Sequence, residues 1–281
     1  MNNMDVLNYG SKLLKNSNIN SYILDSELIL AKVLNSTREK LLINLDKKLD
    51  RKNFKKYKNL ILRRKKNEPI AHIFQNKEFW KYNFIVNGNV LIPRPETEII
   101  VQELLKLTNY YSFKHILDIG TGSGCILISL LCELKNSVGI GIEISKRALL
   151  IAKKNAIKHG VKNHIKFFCR SFTDLHNQKF NLIVSNPPYI TKRDLTRLDQ
   201  DIKDYEPKIA LDGGNDGLDV IKKVIYKAKE ILKVNGILAL EIGNGQYRNV
   251  SKILNRNNFK IEKQIKDYKD NIRCIVSRLK I

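Results

Sequence analysis

The stretch "LDIGTGSGCILISLL", Leu117 to Leu131, joins a short apolar run to a helical pattern through a glycine-rich turn. Leu117 to Ile119 read as a buried strand ending on Asp118-Ile119. Gly120, Thr121, Gly122, Ser123 and Gly124 form the turn, and the apolar residues after it suit a helix. Glycines at such a turn allow positive φ and close approach of backbone to a ligand. The spacing is G-x-G-x-G, which differs from the G-x-G-x-x-G that cradles a pyrophosphate. It suits a nucleoside cofactor without one. Glu143 closes the next strand, where a carboxylate accepts ribose hydroxyls.

Working outward, apolar strands fit 115–120, 137–143, 164–169, 180–185 and 236–243, with helical patterns at 145–159 and 218–232 between them. This alternation predicts a parallel sheet covered on both faces. Two further strands, in "NFKIEKQIKDY" and "NIRCIVSRLKI", are separated by too short a link for a crossover, so an antiparallel hairpin is expected at the sheet edge.

Residues 1–74 contain no good strand and a single glycine, Gly10. Helical stripes run through 25–34, with Asp25 as a candidate cap, and through Phe54, Tyr57, Leu60 and Ile61. Glu68-Pro69 is expected to end the last helix of this block. Residues 75–93 are rich in aromatic and branched side chains, and Asn87-Gly88 predicts a hairpin turn there. The expected organisation is therefore a helical domain over 1–74, a β-hairpin linker over 75–93 and an α/β domain over 94–281. "RPETE" (94–98) reads mainly as helix-start chemistry, because acids suit a helix N-terminus, with a role in a substrate channel as the alternative. "LDGGNDGL" (211–218) reads as a structural turn before a helix.

The chain has 281 residues and a formal net charge of +23, from 51 Lys and Arg against 28 acids. That balance fits contact with nucleic acid or an acidic protein, or a general drift toward lysine. The four cysteines form no CxxC pair and the five histidines no HxxxH pattern, so neither disulfide nor metal site is expected. No apolar run reaches the length of a membrane span, and the N-terminus does not read as a secretory signal. The expected location is the cytoplasm and the expected state a monomer.

The fourth strand ends in "SNPPYI", 185–190. Asn186 precedes proline and is held extended, while Pro187 and Pro188 have fixed φ and no N–H. The segment is stiff and offers acceptors without competing donors. In an open parallel sheet it meets Gly120 and Glu143 at one rim. A planar NH2 group, on an amide or on adenine, has too weakly acidic a proton to be removed first. The Asn186 side-chain oxygen and the Pro187 carbonyl are candidates to hold its two N–H groups. Tyr189 is a candidate to lie against its plane. The electrophile that fits a nucleoside site of this kind is S-adenosylmethionine.

Together "EPIAHIFQNKEFW", "LIPRPETE", "LDIGTGSG", "SNPPYI", "EPKIALDGGNDGLDVIKKVI" and "KDYKDNIRCIV" resemble the protein-(glutamine-N(5)) methyltransferases, the PrmC/HemK family, over nearly the whole chain. The resemblance implies a class I S-adenosylmethionine-dependent methyltransferase with a Rossmann-like, mostly parallel seven-stranded sheet and a small N-terminal all-α domain. It implies transfer to the glutamine of the GGQ motif in class I peptide-chain release factors, with no nucleic acid required. It assigns the cofactor to Gly120–Gly124, Glu143 and Asn186. It assigns the glutamine to Asn186, Pro187, Pro188 and Tyr189. The Asp-Trp frequent beside the adenine in relatives is here Arg170-Ser171 followed by Phe172, so Ser171 and Phe172 are the candidates at that position. Two alternatives remain open from the residues alone. Asn-Pro-Pro-Tyr is shared with adenine methyltransferases, and a basic nucleic-acid or ribosome-binding protein with an inactive fold has the same charge.

Overall fold

A computed structural model describes residues 1–176 and 178–280. The chain divides into two compact units, Met1–Gln75 with Gln200–Tyr205, and Asn76–Asp199 with Glu206–Ile281.

The first unit is helical: α1 (Asn3–Lys15), α2 (Tyr22–Val33), α3 (Arg38–Ile43), α4 (Arg51–Arg64) and α5 (Ile70–Phe74). Side-chain caps start three of them, from Asn2, Thr37 and Asp50, each satisfying a backbone N–H that the helix leaves unpaired. Val6, Leu14, Ile29, Leu30, Leu41, Tyr57 and Ile61 form the core. Gly10 is required for packing: a Cβ there would lie 1.9 Å from the Tyr57 hydroxyl, which is bonded to Ser26 at 2.6 Å. Two sequence expectations are corrected. Asp25 is no cap. It lies inside α2, where the Arg64 guanidinium pairs with it at 2.7 Å and gives its buried carboxylate a partner. Pro69 begins a helix instead of ending one: α4 stops at Arg64, and Pro69, whose fixed φ suits a helix entry, stands at the N-cap of α5.

The second unit opens with a two-stranded ribbon, β1 (Lys77–Phe79) and β2 (Tyr82–Phe84). Its turn falls at Trp80-Lys81, with Trp80 at φ +57, and not at Asn87-Gly88 as the sequence suggests. Phe79 and Phe84 point into the core across that turn, which fixes the register. Asn87-Gly88 makes a separate turn, and the segment after it pairs with no strand among the described residues. Its Ile92 N–H is taken by the Glu206 carboxylate at 3.0 Å.

The main sheet has seven strands: β3 (His115–Ile119), β4 (Val138–Glu143), β5 (Ile165–Cys169), β6 (Phe180–Ser185), β7 (Leu232–Glu241), β8 (Phe259–Lys266) and β9 (Ile272–Leu279). Their order is β5-β4-β3-β6-β7-β9-β8, parallel except that β9 runs antiparallel to both neighbours. The expected sheet and its edge hairpin are present. On one face lie α6 (Pro95–Leu107) and α7 (Cys125–Glu133); on the other, the helices Asp219–Ile231 and Tyr247–Arg256. Both faces are apolar because parallel strands are covered on both sides. The reversal of strand order falls between β3 and β6, which opens a crevice beyond their C-terminal ends.

Candidate active site

The crevice is a cavity of about 600 Å³ bounded by the ends of β3, β4, β5 and β6. At the end of β3 the N–H groups of Gly120 and Thr121 both donate to the Ile142 carbonyl, which turns the chain sharply. Gly120 has φ +72, and nothing lies within 4 Å of where its Cβ would be, so the backbone faces open space. Gly124 differs. It caps α7 at φ +82, and a Cβ there would lie 2.7 Å from Ile128 Cδ1. It shapes the loop without lining the cavity. The buried Asn155 holds the loop from behind. It donates to the Ser123 carbonyl at 2.9 Å and makes two bonds to the backbone of Ile85.

Asp118 sits under this loop, 1% exposed, accepting from the Thr121 hydroxyl at 2.7 Å. Burial pushes its carboxyl from the ordinary 3.8 to about 7, helped by the Glu143 charge and opposed by the Thr121 bond. The native state therefore holds this proton more tightly than the unfolded chain. The stability it contributes is complete below pH 4 or so and is lost as the pH rises to about 7. Asp118→Asn keeps an acceptor for Thr121 and removes the titration. Its urea midpoint relative to the parent should rise as pH goes from 4.5 to 8, roughly the window between the two pKa values. A difference that stays flat across that range contradicts the assignment.

Glu143, at the tip of β4, accepts Gly122 N–H at 3.1 Å through one oxygen and Ser145 N–H at 3.0 Å through the other. Both oxygens retain a lone pair, and Glu143 lines the cavity. Arg170, Ser171 and Phe172 follow β5 and form a further wall, with the Arg170 guanidinium 5.0 Å above the Phe168 ring. The Ser171 hydroxyl is bonded to Thr173, so Phe172 is the apolar contributor here.

At the end of β6, Asn186, Pro187 and Pro188 line the same cavity. Asn186 Nδ2 donates to Thr97 Oγ1 at 3.2 Å, while its Oδ1 and the Pro187 carbonyl accept nothing among the described residues. Tyr189 is not among the lining residues. Its ring packs in the core behind the ledge, its hydroxyl donates to Glu241, and the Arg273 guanidinium lies 5.5 Å from its centroid. Burial and the Glu241 charge push its phenol up. The Tyr189 backbone is clamped. Gln246 donates to its carbonyl at 3.0 Å, and Gly213 packs so closely that a Cβ would lie 2.7 Å from Tyr189 Cα. The glycine-rich segment 211–218 is thus a support for the ledge, and Asp212 also reaches the cavity.

Of the residues singled out from sequence, Gly120, Thr121, Gly122, Ser123, Glu143, Ser171, Phe172, Asn186, Pro187 and Pro188 share one cavity; Gly124 and Tyr189 stand behind it. Gln246 and Glu206 were missed as parts of the site. In the sequence Thr97 reads mainly as helix-start chemistry, with the substrate channel as the alternative, and its hydroxyl touches Asn186. Glu206 holds Arg94 and Ile92 beside the cavity wall; the "RPE" and "EP" stretches, rich in opposite charges, carried that signal. Among the described residues no group of His, Cys, Asp and Glu is assembled to hold a metal ion. No helix among them is long and apolar enough to cross a membrane.

Comparison with known proteins gives the fold and the family. Residues 5–74 match the family described as the PrmC N-terminal domain, and residues 95–202 the methyltransferase small domain. The hMettl16 catalytic domain, solved in complex with MAT2A 3'UTR hairpin 6, is 16% identical, with a TM-score of 0.52 over 69% of this chain and 74% of that one. That likeness, like the sheet order, concerns the fold alone: it is the class I methyltransferase fold. A release factor glutamine methyltransferase of Fusobacterium nucleatum is 38% identical over 98% of this chain and 78% of its own length. Another, of Geobacter sulfurreducens, is 38% identical over 90% and 88%. The chain belongs to the release factor glutamine methyltransferase family. It spans just over half of a bifunctional methyltransferase of Rickettsia typhi, 56% of that protein, at the same 38% identity.

Proposed function

We propose that this chain methylates the side-chain amide nitrogen of the glutamine in the GGQ motif of class I peptide-chain release factors, as a monomer in the cytoplasm, using S-adenosylmethionine. The observation that carries this is the acceptor pair, Asn186 Oδ1 and the Pro187 carbonyl, which takes no donor from the described residues and stands on a proline-stiffened ledge in the cavity that Gly120 and Glu143 also line. The residues fit the cofactor. Glu143 has a lone pair on each oxygen for the two ribose hydroxyls, Gly120 offers bare backbone, and Phe172 an apolar face. When bound, S-adenosylmethionine supplies a methyl group on a positively charged sulfur.

The chain's own residues do the rest. Two acceptors engage both N–H groups of a carboxamide and so fix its nitrogen in one direction. They also stabilise the positive charge that grows on that nitrogen as it forms a fourth bond, which is electrostatic preorganisation. No base is needed before transfer. One N–H proton leaves to solvent afterwards.

The test is incubation of the purified chain with methyl-labelled S-adenosylmethionine and a release factor, followed by mass spectrometry of the GGQ peptide. One added methyl on the glutamine is expected, absent when that glutamine is replaced. Label appearing on nucleic acid and none on the release factor would overturn this in favour of an adenine substrate.

A further inference from the structure

A line of four hydrogen bonds runs from β9 to the ledge. Arg273 Nη2 donates to Tyr189 Oη at 3.1 Å, and Tyr189 Oη lies 3.2 Å from Glu241 Oε1. Thr97 Oγ1 lies 2.6 Å from Glu241 Oε2, and Asn186 Nδ2 is 3.2 Å from Thr97 Oγ1. Glu241 is 1% and Thr97 2% exposed, so water does not compete for these partners. With Glu241 ionised, the polarity of the line is determined. A guanidinium has only protons to give, so Tyr189 must accept from it and send its own proton to Glu241. A carboxylate has none to give, so Thr97 must send its proton to the other oxygen. Thr97 then has only a lone pair left for Asn186. The side chain can satisfy it only with its NH2, which leaves Oδ1 facing the cavity.

We infer that Glu241, acting through Thr97, is a positioning residue that dictates which way the Asn186 amide faces, so that the ledge presents an acceptor and not a donor to the substrate NH2. This rests on the reading of Asn186 as the amide acceptor. A flipped Asn186 would set NH2 against NH2, and two donors cannot bond. The arrangement also explains a buried glutamate at the end of β7 that no reacting atom needs. Burial pushes its carboxyl up, and the Thr97 bond, the Arg273 charge and the Tyr189 bond oppose that rise; Arg273 also lies 3.9 Å from Asp267.

Glu241→Gln tests the inference with little change in shape. Gln must turn its oxygen toward the Tyr189 hydroxyl and its NH2 toward Thr97. Thr97 then loses the acceptor for its own proton, and the acceptor left in the line is Asn186 Oδ1, so the proton goes there and the amide reverses. Because a donor then faces the substrate donors, kcat should fall about tenfold or more while the cofactor Kd stays within about twofold. Adding Thr97→Val cuts the reversed relay, so the double variant should recover at least about threefold over Glu241→Gln alone, a coupling of the kind seen for residues in contact. Parent-level kcat in Glu241→Gln, or a double variant no better than the single, overturns the inference.

If Glu241→Gln does not bind cofactor, Thr97→Ser against Thr97→Val carries the same test. Ser should retain at least about threefold more kcat because it keeps the hydroxyl; equal values overturn the relay. A readout independent of turnover separates this from the choice of substrate. The side-chain NH2 protons of Asn186, assigned by their loss in Asn186→Asp, should exchange slowly in the parent and faster in Thr97→Val. If the parent methylates no release factor yet shows this protection, the proposed substrate falls and the relay stands. Equal exchange in both overturns the relay.

Discussion

Asn186→Ala is expected to lower kcat by about 10²–10³-fold, the loss typical of removing one preorganised group that faces developing charge. The cofactor Kd should stay within a few-fold, because Gly120, Glu143 and Phe172 line the cavity independently of that side chain. The loss arises in two ways. The substrate nitrogen loses one of two acceptors, so its direction is no longer fixed. The positive charge appearing on it also loses a dipole already aimed at it, and water entering the gap must reorient to replace that dipole. Asn186→Asp is informative beside it. A carboxylate keeps an acceptor toward the cavity, but its second oxygen would face the Thr97 oxygen, whose proton is committed to Glu241. Asp is therefore expected to fail as well. Single-turnover methyl transfer to a release factor, with isothermal titration of cofactor binding, separates the two effects. An Asn186→Ala variant that retains more than about a third of parental kcat removes Asn186 from the chemistry.

The comparison between sequence and structure is instructive at particular residues. Strand tips were legible because each carries a local signature: three glycines in five residues after β3, an acid ending β4, and two prolines after β6. The parallel sheet and its edge hairpin followed from strand and helix periods. Several features were not legible. The ribbon turn was expected at Asn87-Gly88 because that dipeptide tolerates positive φ, yet Trp80 takes positive φ instead, held by the inward packing of Phe79 and Phe84. Local turn preference was overruled by burial. Asp25 looked like a cap until Arg64, 39 residues away, supplied its partner. Tyr189 stands behind the ledge and not in the cavity because Glu241 and Arg273, from distant strands, hold its hydroxyl. Each miss turns on a long-range polar pair or a packed ring, which no window of sequence contains. The same holds for Asn155. Nothing in "AKKNAIKH" announces a fully buried amide bracing the glycine loop, although three hydrogen bonds depend on it.

The second large effect belongs to Glu143. Replacing it with Gln is nearly isosteric, so the usual expectation would be a mild loss. The two backbone N–H groups argue otherwise. Gly122 and Ser145 each donate to a different oxygen of Glu143, so both positions require an acceptor. Gln has one oxygen and one NH2, and whichever way it turns, its NH2 meets a backbone N–H. The loop must then shift at Gly122 or the side chain must swing out; either outcome removes the acceptor pair for the ribose hydroxyls. Hydrogen bonds to a charged group contribute about 1.5–3 kcal/mol each, so losing two should cost roughly 3 kcal/mol or more. At about 1.4 kcal/mol per tenfold, the cofactor Kd should rise by at least about 100-fold. Saturating cofactor should restore much of kcat, because Asn186 and Pro187 remain in place. That split, with binding lost and turnover recoverable, is the reverse of the one expected for Asn186→Ala. Titration calorimetry with S-adenosylmethionine and with its demethylated product should show the same loss for both, since the role proposed for Glu143 is at the nucleoside and not at the sulfur. A Glu143→Gln variant that binds either within about threefold of the parent would mean that the nucleoside lies elsewhere in the cavity.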